Sequence, residues 1–187
     1  MNLNIPGESL ETQVLVVLDH YPREKESQKK RATRTEKVGS HRPWALFDGA
    51  SQNRNQLCGG GGVILHISNN LRFKIKMCFG SGSNNFAELM ALKPLLLFAK
   101  EKLVTSLQIF GDSQLVVRWV QNHARCQNIM LRPILKEVKI ILNAFDDFEI
   151  HLVYREMNEE VDQLSKEGLS LALGQWMIRE EDNGTFF

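Results

Sequence analysis

Leu107-Gln108-Ile109-Phe110-Gly111-Asp112-Ser113-Gln114-Leu115-Val116-Val117-Arg118-Trp119-Val120 holds the change of period that decides the fold. Leu107 to Phe110 read as a short strand, Gly111-Asp112-Ser113 ends it, and Leu115, Val116, Trp119 and Val120 recur at helical spacing. A second helical stretch follows with Leu131, Leu135, Val138 and Leu142, and Glu149–Tyr154 then alternates as another strand. Strands joined through helical crossovers run parallel. Residues 158–173 close the pattern as a helix with Val161, Leu164, Leu169 and Ala172 available for packing.

Upstream the connections are short. Trp44-Ala45-Leu46-Phe47 reads as a buried strand stopped by an Asp48-Gly49 turn, and Gly59–Gly62 opens a second strand over Val63–Ile67. After a Ser68-Asn69-Asn70 turn, Leu71, Phe73, Ile75 and Met77 alternate with Arg72, Lys74 and Lys76, the period of a half-exposed antiparallel strand. Ser83-Asn84-Asn85 supplies N-cap candidates for a helix in which Leu89, Leu92, Leu96 and Ala99 share a face. Pro94 inside that helix removes the bond to the Met90 carbonyl and predicts a kink. The order βββαβααβα is an α/β arrangement.

The chain has 187 residues, one domain and a tail by length. Its net charge of +1 is unevenly spread: residues 23–42 carry eight basic side chains against Glu24, Glu26 and Glu36. Residues 1–42 therefore read as a flexible, basic linker or upstream remnant, residues 43–173 as the folded domain and 174–187 as a C-terminal tail. The longest uncharged stretch, Asn55 to Leu71, is broken by glycines, so no membrane span is expected. Three widely spaced cysteines without a CxxC pair favour a reducing, intracellular compartment, nucleus or cytoplasm unresolved, over a disulfide framework or zinc ribbon.

Four acids fall where such a layout places ligands. Asp48 and Asp112 end strands that emerge at one sheet edge if they are parallel neighbours, and ligands bind outside the carboxyl ends of such strands. Glu88 lies near a helix start beside Phe86 and Leu89; Asp162 lies between Val161 and Leu164. Carboxylates without a Cys/His cluster suit hard divalent ions such as magnesium. Each acid also has an ordinary reading: Asp48 in a turn, Asp112-Ser113 at a helix cap, Glu88 complementing a dipole, Asp162 paired with Lys166 at i,i+4.

Phe47-Asp48-Gly49-Ala50-Ser51, Gly59–Gly62, Asn84-Asn85-Phe86-Ala87-Glu88-Leu89, Gly111-Asp112-Ser113-Gln114 and Tyr154-Arg155-Glu156-Met157-Asn158 through Asp162 together resemble type 1 ribonuclease H. More narrowly, they resemble the reverse-transcriptase-associated domains of plant retrotransposons. The resemblance runs from about Trp44 to Leu173. It implies an RNase H-like fold, a five-stranded mixed sheet, three antiparallel then two parallel strands, flanked by helices. It also implies endonucleolytic cleavage of the RNA strand of RNA–DNA hybrids, leaving 5′-phosphomonoesters, with two magnesium ions for which manganese substitutes. Carried over residue by residue, Asp48, Glu88, Asp112 and Asp162 match the metal-binding catalytic acids. Gly49, Ala50, Ser51, Asn84, Asn85, Gln114, Arg155 and Asn158 match the substrate-binding positions. A polymerase domain upstream in a polyprotein and a monomeric state complete the expectation.

Departures from the family pattern are specific. The catalytic-loop histidine of many relatives has no counterpart, and Arg155 stands where a phosphate-contacting or product-releasing residue, or a structural ion pair, is expected. Arg118, Arg125 and Arg132 are scattered where a basic protrusion would concentrate charge. A four-acid exonuclease would have Asp-x-Glu in the first strand, but the position two beyond Asp48 is Ala50. An integrase-like enzyme would carry Glu in the last helix. The alternative of another class is a weakly active or inert hybrid-binding remnant, with a Pro94 kink misplacing Glu88.

Overall fold

The computed structural model describes residues 42–52, 58–68, 70–182 and 185–186. The basic linker expected over residues 1–42 lies outside them except for Arg42. That residue is anchored: its guanidinium donates to Asp147 at 2.7 Å and to Glu149 at 3.1 Å.

The chain runs β1 (Trp44–Ser51), β2 (Cys58–His66), β3 (Leu71–Cys78), α1 (Asn84–Glu101), β4 (Ser106–Gly111), α2 (Gln114–Val120) and α3 (Arg132–Leu142). Then come β5 (Asp147–Leu152), a single 3₁₀ turn (Arg155–Met157), α4 (Glu159–Gly168), β6 (Trp176–Asp182) and β7 (Thr185–Phe186). All strands join one sheet in the order β5-β4-β1-β2-β3-β6-β7. β1 pairs in parallel with β4, and β4 with β5, while β1, β2 and β3 are antiparallel, as the sequence predicts. The crossover through α1 puts the C-terminal ends of β1 and β4 at one edge, which sets up the site described below.

Two expectations about β1 and β2 are corrected. The Asp48-Gly49 pair is not a turn; β1 continues to Ser51, with Asp48 opposite Gly62 and Gly49 opposite Gly61. The glycines after Cys58 do not precede β2 but lie inside it. Their function is close approach. A Cβ on Gly62 would lie 2.3 Å from the Val161 carbonyl oxygen, and one on Gly60 would lie 2.1 Å from that of Ser165. Gly61 points to the other face, against Phe79 and Ala91. α4 therefore seats its backbone directly on β2, while α1 packs on the opposite side.

The core on the α1 side gathers Ala45, Phe47, Ile75, Leu92, Leu96 and Leu107, each fully buried. Ser83 caps α1, accepting a bond from the Phe86 N–H at 3.3 Å. Ser83→Ala should lower stability by about 1 kcal/mol, read by urea unfolding. Pro94 is buried within α1, which stays continuous over 18 residues.

The other sheet face departs further from expectation. β3 is not half-exposed: Phe73, Ile75 and Met77 are buried on one face, yet Arg72 is also buried on the other. Lys74 bridges Glu160 of α4 and Glu181 of β6, at 2.9 Å each, and Arg72 pairs with the same two acids. Residues expected as a C-terminal tail thus form β6, paired along β3 from Leu71↔Asp182 to Met77↔Trp176, and β7, giving seven strands among the described residues rather than five. α4 is shorter than the predicted 158–173, ending at Gly168, where a Cβ would lie 2.3 Å from the Met77 carbonyl oxygen. Ala172 and Leu173, one expected in the packing face, are exposed.

Candidate active site

Asp48 lies within β1, Glu88 in the second turn of α1, and Asp112 one residue beyond β4. Gly49 brings the first two together: a Cβ there would stand 2.3 Å from the Glu88 backbone nitrogen. One carboxylate oxygen from each of Asp48, Glu88 and Asp112 lies within 4.8 Å of the others. The kink expected at Pro94 does not displace Glu88 from this cluster. Asp162, in the first turn of α4, stands outside it, its carboxylate paired with Lys166. It is still close enough for its charge to act on Asp48.

Burial and mutual repulsion dominate the electrostatics. Burial, then the charges of Asp112 and Asp162, push the Asp48 carboxyl up to about 7, against hydrogen bonds from the Gly49 N–H and Ser165 hydroxyl. Burial and the charges of Asp48 and Asp112 raise Glu88 well above the carboxylate range. Its Oε2 is buried and has no hydrogen-bond partner among the described residues. Buried, crowded acids whose carboxyls are pushed upward suit a cation, whose charge would offset both the burial and the repulsion. The all-oxygen donor set and the orphaned Glu88 oxygen fit a hard divalent ion.

The other predicted residues divide into three groups. Ser51 and Asn84 are brought together, the Ser51 hydroxyl donating to Asn84 Oδ1 and tying the end of β1 to the start of α1. Gly49, Ala50 and Asn85 are half-buried around that contact, and Gln114 is exposed at the start of α2. Arg155 is exposed at the mouth, its Nε donating to Asp112 at 3.3 Å. Asn158 does not face the site. It is fully buried, donates to the Phe47 carbonyl at 3.4 Å, and so pins the start of α4 to β1. A residue with no exposed surface cannot touch substrate.

Sequence reasoning missed two hydroxyls. Ser113 hydrogen-bonds Glu88 instead of capping α2. Ser165 lies 3.3 Å from Asp48 Oδ2 and 2.7 Å from the Asp162 carbonyl oxygen, so its one proton serves either acceptor. The signal for Ser165 was its place one turn after Asp162, opposite Gly60 and Gly62. Along the sequence the arginines are scattered. Arg125 and Arg132 in fact line one cleft of about 560 Å³ with Lys136 and Lys139, and among the described residues no carboxylate lines it. Arg132 is partly spent there, donating to the Cys126 carbonyl at 3.0 Å.

Residues 46–168 match the reverse transcriptase-like family, with all three clustered acids and Asp162 inside the match. The chain belongs to the reverse transcriptase-like family. Within the wider type 1 ribonuclease H group, ribonuclease HI of Halobacterium salinarum is 30% identical over 125 residues, 67% of this chain. This reverse transcriptase-like chain spans 63% of that relative's length. The crystal structure of RNase H1 from the same archaeon superposes with a TM-score of 0.58 at 28% identity, covering 70% of this chain and 99% of that one. LC11-RNase H1, isolated from compost, shares the fold at 21% identity. Its structure in complex with an RNA/DNA hybrid gives a TM-score of 0.57, covering 68% of this chain and 96% of that one. The fold is RNase H-like, with β6 and β7 appended beyond the family match.

Proposed function

We propose that this chain is a ribonuclease H that cuts the RNA strand of RNA–DNA hybrids endonucleolytically, leaving 5′-phosphomonoesters. The observation that carries the reading is the carboxylate cluster of Asp48, Glu88 and Asp112 at the edge where β1 and β4 end. Family membership supports it, as does the hybrid bound by LC11-RNase H1, a relative in fold. Asp48, Glu88, Asp112 and Asp162 would hold two magnesium ions, or manganese in their place. Such ions supply charge at the scissile phosphate and lower the pKa of an attacking water.

The chain's own residues do the positioning. Ser113 and Ser165 orient Glu88 and Asp48 by hydrogen bonds, and Arg155 steadies Asp112 while its terminal nitrogens face solution. Asn84, Asn85 and Gln114 present amides that both donate to and accept from a ribose 2′-hydroxyl, the group that tells RNA from DNA. The cleft of Arg125, Arg132, Lys136 and Lys139 offers positive charge to the phosphate backbone. Asn158 leaves the substrate set and becomes a support for α4. Buried, free Cys78 and Cys126 accord with an intracellular setting, and the plant retroelement origin with an upstream polymerase rests on the sequence resemblance.

The test is cleavage of an end-labelled hybrid with magnesium, beside Asp112→Asn and a chelator control. Cleavage of the RNA strand alone, lost in both controls, is the expected result; wild-type protein no faster than Asp112→Asn overturns the reading. A smaller effect concerns the cleft. Arg125→Ala with Lys136→Ala should weaken hybrid binding and lower its salt slope by roughly 2, close to 0.9 per lost phosphate contact. Fluorescence anisotropy at several salt concentrations measures it.

A further inference from the structure

We propose that Lys166 is a phosphate-binding side chain of the hybrid site, parked on Asp162 until a divalent cation claims that carboxylate. The inference deepens the nuclease reading and rests on it. Lys166 follows Asp162 by one turn of α4, and its ammonium is ion-paired with Asp162 Oδ2. The pair lies at the mouth rather than in the interior: the Lys166 side chain is 57% exposed and that of Asp162 33%. Of the four acids, Asp162 alone stands outside the tight cluster. Asp48 and Glu88 are buried and make no ion pair among the described residues, whereas Asp112 pairs with Arg155 and Asp162 with Lys166.

That division is the informative part. Asp112 is held by Arg155, which is 85% exposed and uses only Nε, at 3.3 Å, leaving the rest of its guanidinium free. Lys166 has a single nitrogen, so its contact with Asp162 competes directly with any cation at the cluster. An exposed i,i+4 pair is weak, and a divalent ion readily displaces it. Once displaced, the ammonium cannot go far, because its stem is fixed to the same helix turn. It is a flexible point charge with three donors, released at the edge of the acid cluster where a phosphodiester must approach. Lys166 and Arg155 would then bracket the phosphate from α4 and from the β5–α4 turn.

Two measurements test this, with Lys166→Met and Lys166→Arg in the full chain. The first is calorimetric titration of manganese into chelator-treated protein without nucleic acid. Lys166→Met should bind manganese roughly twofold to fivefold more tightly than wild type, since a competing charge is gone, and Lys166→Arg should not. The second is steady-state cleavage of a hybrid across salt concentrations. Lys166→Met should raise KM more than it lowers kcat and reduce the salt slope of kcat/KM by about 0.9, one phosphate contact. Equal manganese affinity in wild type and Lys166→Met overturns the parking of Lys166; an unchanged salt slope overturns its phosphate role. Wild-type protein that cuts no hybrid defeats the nuclease reading itself, an outcome the metal titration distinguishes from the other two.

Discussion

Asp48→Asn should abolish hybrid cleavage, by at least about a hundredfold to a thousandfold, and yet make the metal-free protein more stable. The two effects share one cause. Asp48 is buried among like charges, and its carboxyl is raised from 3.8 to about 7. Between those values the folded state holds a proton that the unfolded chain releases, so stability falls as pH rises from about 4 to 7 and stays reduced above. Asparagine keeps the shape and removes the charge, and the gain near pH 8 is of order 2–4 kcal/mol. Thermal unfolding in chelator at pH 5 and pH 8 checks it: wild type should melt lower at pH 8, and the variant should show a smaller difference. Magnesium should raise the melting temperature of wild type more than that of Asp48→Asn.

Glu181→Ala should unfold the protein more easily by about 3 kcal/mol, or roughly 10 °C in melting temperature. Glu181 is fully buried on β6 and faces Arg72 and Lys74 of β3. Truncation leaves Arg72, which is 1% exposed, sharing Glu160 alone with Lys74. The residue lies beyond position 168, where the family match ends, yet it neutralises charges well inside it. Replacing both partners, as Arg72→Met with Glu181→Leu, should cost much less, because no unpaired charge is buried. A Glu181→Ala melting temperature within 2 °C of wild type would show that β6 does not bear on the domain's stability.

The sequence made the helix–strand alternation of residues 107–168 legible because apolar side chains there keep strict helical or alternating spacing. The acids were legible for a different reason: each sits at an element end or beside a fixed neighbour. What stayed hidden was burial that depends on distant partners. Nothing in Trp176–Asp182 reads as a sheet strand, since Arg179, Glu180, Glu181 and Asp182 are charged; Glu181 is buried only because Arg72 and Lys74 await it across the sheet. The Asp-Gly of β1 looks like a turn by local propensity, and only the nearness of α1 explains its glycine. Asn158 has the residue type of a substrate contact, but Phe47 takes its amide. Arg125 and Arg132 are seven residues apart in sequence, and the loop between α2 and α3 folds them to one cleft.

Gly60 and Gly62 have a consequence for the acids that neither carries itself. Where a helix rests on side chains, its height above the sheet varies with their rotamers and volumes. At Gly60 and Gly62 β2 contributes no side chain, so the backbones of β2 and α4 come close to contact there, with only Leu164 and Leu169 beside them. Asp48 is mounted on one of these layers and Asp162 on the other. The span between the first acid and the last is thus set by two missing methyl groups, acting as a gauge block for the site.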